Sequence, residues 1–332
     1  AALISAALWI HIAAFLGWPV STTHSIVGAI TGFGLVSVGP ENIAWGSLAF
    51  IAGSWFTSPV IGGVLAFLIF TLIRKAIMES ANPNRGVRVF TPIMSFPVFA
   101  VLTWMLFTKG FKNIKGTLAE YGLDGMIVQI AVAGTVGLIG ALAFAAYVRK
   151  YEIDPDAPMA ERTVTIEKIF RYLQIITACF VAFAHGSNDV ANSIGPLAAI
   201  VNTVDVGVIS SKVPVPTWVL VLGAVGIVIG LATYGYRVIE TIGTKITEIT
   251  PSRGFAAEFG AASTILVGSK LGLPLSTTHT IVGAVIGVGF ARGMNALNLR
   301  IVWNIVKSWI YTIPFTAILT ILLYELLSAV FI

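Results

Sequence analysis

The chain alternates between long apolar runs and short polar interruptions. Runs near 43–73, 90–108, 124–148, 167–185, 217–240 and 298–331 are each long enough to read as a bilayer-crossing helix, which takes about 20 apolar residues. Two shorter stretches, 1–17 and 254–271, are further candidates. Pro59 and Pro314 lie inside long runs, and each predicts a kink or a break there. The pattern predicts an all-α polytopic membrane protein.

Composition narrows the class. Apolar residues make up 57% of the 332 residues and charged residues 11%, against about 25% charged in soluble domains. Too little charge remains to cover a water-facing surface, which excludes a soluble enzyme, a disordered regulator and a disulfide scaffold. The lone Cys179 cannot form an internal disulfide. The net charge of +5 comes from Lys and Arg that sit mostly between apolar runs, so it reports orientation in a membrane and not a nucleic-acid partner. Residues 74–88 hold Arg74, Lys75, Arg85 and Arg88, and residues 149–171 hold Arg149, Lys150, Arg162, Lys168 and Arg171. The intervening 109–115 holds Lys109, Lys112 and Lys115. The two richer segments are two spans apart and share a side, which the charge bias assigns to the cytoplasm.

The most specific feature is an internal repeat. Residues 17–34 read GWPVSTTHSIVGAITGFG and residues 272–289 read GLPLSTTHTIVGAVIGVG, with twelve of 18 positions identical at an offset of 255. SWFTSP at 54–59 and SWIYTIP at 308–314 extend the likeness. The expected organisation is residues 1–148 as the later part of a first repeat with connecting spans, 149–166 as a cytoplasmic linker, and 167–332 as a second repeat.

Duplicated membrane halves suggest a secondary transporter whose substrate sits where helices are interrupted. Pro19 and Pro274 disfavour helix just before them, and Ser21 and Ser276 are good N-caps. The Gly-rich runs that follow are too short to span, which suits re-entrant half-helices. Each exposes unpaired N–H groups and a positive dipole end, which favour an anion. Ser and Thr hydroxyls add donors without charge; no Arg sits in either motif, and neutral donors hold an anion less firmly than bidentate Arg would, so a carrier can release it.

A third motif, HGSNDVANSIGP at 185–196, follows an apolar span. Its polar residues, with Gly195 and Pro196, predict breaks in that helix. Asp189 is an acid at membrane depth, where charge is costly and functional by default. Asp and Asn oxygens with freed carbonyls suit a hard cation such as Na⁺. Glu258 is a second acid in an apolar segment, with a role on the substrate or cation pathway or in helix pairing. His24 and His279 end the two Ser-Thr-Thr-His motifs and read as proton relays or as neutral packing groups. No Cys/His cluster, Walker loop, GxSxG or HExxH occurs, so no enzyme chemistry is signalled.

GSNDVANS at 186–193, PLSTTH at 274–279, its twin PVSTTH at 19–24, and Glu258 ahead of the second copy together resemble the inorganic phosphate transporter (PiT) family. The resemblance covers essentially the whole chain. It implies an inverted-repeat symporter that carries phosphate with Na⁺ or H⁺, in a homodimer in the plasma membrane. By resemblance, Ser21, Thr22, Thr23, Ser276, Thr277 and Thr278 contact phosphate, and Asp189 and Asn192 shape that site. Ser187, Asn188 and Asp189 then bind the coupling cation, with Glu258 grouped beside them and Na⁺ placed at Asn188 and Asp189. That family carries its Asn-Asp motif twice, and this chain shows one copy. The offset of the repeat places the other upstream of residue 1. A sulfate permease of the same fold, a proton-coupled carrier and an anion channel are the alternatives.

Overall fold

The computed structural model describes residues 1–110, 115–207 and 213–331; Lys112 of the basic 109–115 stretch lies outside them. The described residues are helical with no strand. In chain order the helices are α1 (Ala2–Phe15), α2 (Thr22–Ser37), α3 (Trp45–Ile73), α4 (Pro83–Met105), α5 (Lys115–Glu120) and α6 (Met126–Val148), followed by α7 (Met159–Val206), α8 (Thr217–Gly230), α9 (Tyr236–Glu240), α10 (Pro251–Lys270), α11 (Thr277–Arg292) and α12 (Leu299–Phe331). Short π-helical turns extend α3 to Met78 and join α8 and α9 into one rod ending at Ile246.

Six helical segments are long and apolar enough to cross a membrane: Trp45–Met78, Pro83–Thr108, Met126–Val148, Met159–Val206, Thr217–Ile246 and Leu299–Phe331. They correspond to the six long runs of the sequence, and the protein is a multi-pass membrane protein. α4 begins earlier than its apolar run because Pro83 occupies its first turn and the Asn82 side chain accepts from the Arg85 N–H at 3.0 Å. α3 and α12 stay helical through Pro59 and Pro314.

The largest departure from the sequence reading is α7. Breaks were expected at 185–196, yet this helix runs unbroken for 48 residues, about 72 Å. It begins at Met159, inside the polar connection. The polar residues leave the helical backbone ladder intact, because their side chains bond either to carbonyls already in it or to other elements. The Ser187 and Ser193 hydroxyls donate back to the carbonyls of Ala184 and Val190 at 3.0 and 3.1 Å. Asn188, Asp189 and Asn192 reach sideways to α2 and α11 or to the loop before α11. Pro196 removes one intrahelical bond, which a 48-residue helix tolerates. The break expected to free several carbonyls for a cation is therefore absent, and only the Asn192 carbonyl, four residues before Pro196, loses its intrahelical donor.

The core lies where α3, α7 and α10 meet, around the fully buried Ile73, Phe170, Leu173 and Phe255. Glu167 fastens α10 to α7: its carboxylate accepts from the Thr250 and Ser252 hydroxyls at 2.7 and 2.8 Å and from the Ser252 N–H at 2.7 Å.

Candidate functional site

The repeated sequence folds the same way twice. α1 and α10 end in a glycine with positive φ, Gly17 at 70° and Gly272 at 73°, a conformation that costs glycine little. The next N–H turns back onto the helix: Trp18 donates to Ala13 and Leu273 to Gly268, at 2.8 and 2.9 Å. Pro19 and Pro274 follow, each spanned by a bond of 2.9 Å, Val20 to Trp18 and Leu275 to Leu273. Ser21 and Ser276 then cap α2 and α11, accepting from the N–H groups of His24 and His279 at 3.1 and 3.2 Å. α2 and α11 have 16 residues each, about 24 Å, short of the roughly 30 Å hydrocarbon core.

The two helix starts meet at one carboxylate. Asp189 of α7 is buried. It accepts from the hydroxyl of Thr22 at 2.6 Å and from that of Thr277 at 3.1 Å. The Asn188 amide donates to it at 3.0 Å, and His185 Nε2 lies 3.1 Å away, one helical turn back on α7. The Asn192 amide donates to the hydroxyls of Thr22 and Thr23, both at 3.2 Å. Asn188 also reaches the Leu275 carbonyl, and the Ser269 hydroxyl reaches Asn188 Oδ1, each at 3.4 Å. Carboxylate, amide, hydroxyl and carbonyl oxygens thus join one hydrogen-bonded cluster, a donor set of the kind hard cations take. Two helix N-termini with their first-turn N–H groups and hydroxyls lie beside it, which is anion chemistry.

Contacts between the two repeat copies are reciprocal. Thr23 donates to the Leu275 carbonyl at 3.4 Å, and Thr278 to the Val20 carbonyl at 3.2 Å. His279 Nδ1 donates to the Trp55 carbonyl at 3.1 Å, and His24 Nδ1 to the Trp309 carbonyl at 3.4 Å. Pro59 frees the Trp55 carbonyl from its intrahelical bond, since proline lacks the N–H four residues on. Four rings form a column, with centroids 3.8 Å apart for Trp55 and His24, 4.4 Å for His24 and His279, and 3.6 Å for His279 and Trp309. Below the rings the backbones touch through glycine. A Cβ on Gly283 would lie 2.5 Å from Pro59 Cα, and one on Gly28 would lie 2.7 Å from the Ile313 carbonyl oxygen. α3 runs alongside α11 in the same direction, from the Pro59–Gly283 contact to Arg74 Nη1 donating to the Ala291 carbonyl at 2.6 Å.

Of the residues singled out from sequence, Thr22, Thr277, Asn188, Asp189 and Asn192 are brought together, and Thr23 joins through Asn192. Thr278 bonds across the repeat instead. Ser21 and Ser276 serve as caps. The Ser187 hydroxyl faces its own helix. Glu258 lies apart: it accepts from the Thr177 hydroxyl at 2.6 Å, and Thr177 is twelve residues before Asp189 on α7, about 18 Å. Three contributors escaped the sequence reading. His185 was signalled by its i,i+4 spacing to Asp189. Trp55 and Trp309 were signalled by the weaker repeat that holds both.

The family model described as the phosphate transporter family matches residues 1–320. A Thermococcus kodakarensis protein named "Putative phosphate permease" is 43% identical over 99% of this chain and 78% of its own length. Inorganic phosphate transporter 2-1, chloroplastic, of Arabidopsis thaliana is 40% identical over 96% of this chain and 57% of its own. A solved structure titled the sodium-dependent phosphate transporter superposes with a TM-score of 0.83 at 40% identity, covering 99% of this chain and 78% of that one. This chain, built around two Ser-Thr-Thr-His helix starts that meet at Asp189, belongs to the phosphate transporter family, a family of transporters and not of enzymes.

Proposed function

We propose that the protein is a secondary active transporter that imports inorganic phosphate by Na⁺ symport with alternating access. The observation that carries this reading is the convergence of Thr22 and Thr277, from the two repeats, on the buried Asp189 carboxylate. An anion approaching those helix starts meets a fixed negative charge. A cation bound at Asp189 and Asn188 removes that repulsion, so cation and phosphate bind together better than either alone. Phosphate then takes the hydroxyls of Thr22, Thr23, Thr277 and Thr278 and the first-turn N–H groups, with Ser21 and Ser276 shaping the two starts and Asn192 bracing the threonines. The name of the solved structural neighbour supports sodium as the coupling ion.

The reading includes residues 1–148 as part of a first repeat, 149–166 as a cytoplasmic linker and 167–332 as a second, inverted repeat. It is supported by α3 pairing in parallel with α11 while α2 turns back into α3 through 38–44. α1–α2 and α10–α11 are its re-entrant hairpins. The carrier works as a homodimer in the plasma membrane, with 74–88 and 149–166 in the cytoplasm. Ser187 and Glu258 act on the cation's route and not in its first coordination shell.

One observation favours a second reading: His185 beside Asp189 offers a proton acceptor, as a proton-coupled carrier requires. Labelled-phosphate uptake into proteoliposomes separates the two. Uphill uptake driven by a Na⁺ gradient at constant pH, and resistant to excess sulfate, supports the sodium symporter. Uptake driven by a proton gradient alone moves coupling to the Asp189–His185 pair. Displacement by sulfate, or no accumulation, refutes phosphate symport.

A further inference from the structure

Lys270 ends α10, about 28 Å along the helix from Pro251. That places it level with the Asp189 cluster, since its neighbour Ser269 reaches Asn188 Oδ1 at 3.4 Å. With α10–α11 as a re-entrant hairpin, a lysine at that level is costly and marks a pathway for charge. Its ammonium sits 4.0 Å from the centre of the Trp104 ring. Among the described residues no carboxylate lies within ion-pairing distance of it. The side chain is exposed, so its three N–H donors are free to meet a ligand. The repeat makes the contrast sharper. Residue 15, which is 255 positions earlier, is Phe15. There the nearby cation is Arg237, whose guanidinium is spent on the Phe15 carbonyl at 2.5 Å, the Phe15 ring at 4.6 Å and the Tyr236 hydroxyl at 3.0 Å.

We infer that Lys270, held over Trp104, recruits the anion to the Asp189 cluster and lowers the phosphate concentration needed on the second repeat's side of the site. The inference rests on the phosphate reading above. Lys270 is a positioning cation for the approach and hands the anion to neutral donors, so it affects capture and not turnover. The Ser269 and Asn188 side chains, joined by hydrogen bonds of 3.4 and 3.0 Å, link its end of α10 to Asp189. A unit charge about 10 Å from an anion changes its occupancy by about twofold in bulk water and about fifteenfold at the dielectric constant typical near a protein surface. A Debye length of about 10 Å at 0.1 M salt means that high salt removes most of this.

The test is the KM and Vmax for labelled inorganic phosphate in proteoliposomes of wild type, Lys270→Arg, Lys270→Gln and Lys270→Glu, at fixed Na⁺ and at low and high ionic strength. The expected result is a KM raised two- to fifteenfold in Lys270→Gln and further in Lys270→Glu, near wild type in Lys270→Arg, with Vmax unchanged and the differences fading at high salt. An unchanged KM in Lys270→Gln at low salt overturns the inference. So does a loss that Arg fails to rescue or that persists in salt, which marks a packing role on Trp104. Wild-type vesicles that take up no phosphate defeat the phosphate reading itself, and this inference with it.

Discussion

Replacing Asp189 by Asn removes one charge and almost no volume, so it isolates what the carboxylate does. The wild-type group accepts from Thr22, Thr277, Asn188 and His185, at 2.6 to 3.1 Å. Hydrogen bonds to a charged group are worth about 1.5–3 kcal/mol and neutral ones about 0.5–1.5. The two threonine hydroxyls can turn and keep neutral bonds to Asn, while the Asn188 amide and His185 meet a second donor. The local loss is then about 2–4 kcal/mol, spread between folding and ligand binding. If 2–3 kcal/mol falls on the cation, half-activation by Na⁺ shifts upward about 30- to 150-fold. The assay is the Na⁺ dependence of phosphate uptake in proteoliposomes, after size-exclusion in detergent has shown the variant to be folded. A folded Asp189→Asn protein whose Na⁺ half-activation stays within about threefold of wild type would refute the role given to this carboxylate, since threefold is under 1 kcal/mol.

Three other outcomes follow from the contacts. Thr22→Val and Thr277→Val should each depress phosphate uptake tenfold or more, about 1.4 kcal/mol, and the Ser variants, which keep the hydroxyl, should recover most of it; equal uptake in Val and Ser variants would remove the hydroxyls from the mechanism. Gly283→Ala forces a methyl against the Pro59 backbone and should cost about 1–3 kcal/mol, read as a lowered thermal midpoint in detergent, with Gly28→Ala showing a similar drop against Ile313. Glu167→Gln weakens three hydrogen bonds that hold the start of α10 and should lower the same midpoint by about 1–2 kcal/mol, without altering Na⁺ half-activation.

Much of this was legible because the chain repeats itself. The Pro-x-Ser-Thr-Thr-His pairs marked two helix starts and their caps, since each device is local chemistry. The six long spans were legible because lipid demands uninterrupted apolar length. α7 was not, because the signals for a break in HGSNDVANSIGP are local while the bonds that override them come from α2 and α11, far away in sequence. Glu258 was grouped with Asp189 for a similar reason: two intramembrane acids look alike in sequence, and only the lateral packing of α10 on α7 separates them by several helical turns. Trp55 and Trp309 were marked only by the weaker SWFTSP and SWIYTIP likeness, and the ring column they close with His24 and His279 forms only when both copies pack together.

The reciprocal contacts also dictate how the protein must be made. Thr23 waits for Leu275, His24 for Trp309 and Gly28 for Ile313, so the first motif emerges from the ribosome some 250 residues or more before these partners. At about 5–20 residues per second that is on the order of 13–50 s. For that interval the glycine face of α2 stays uncovered, while its histidine can meet only Trp55 and its helix start only α7. Neither copy can finish folding alone, and the loop that must close between them spans most of the chain. Assembly of the substrate site is therefore the last event of biogenesis, and truncation anywhere before α12 leaves the early half without the partner it was built to meet.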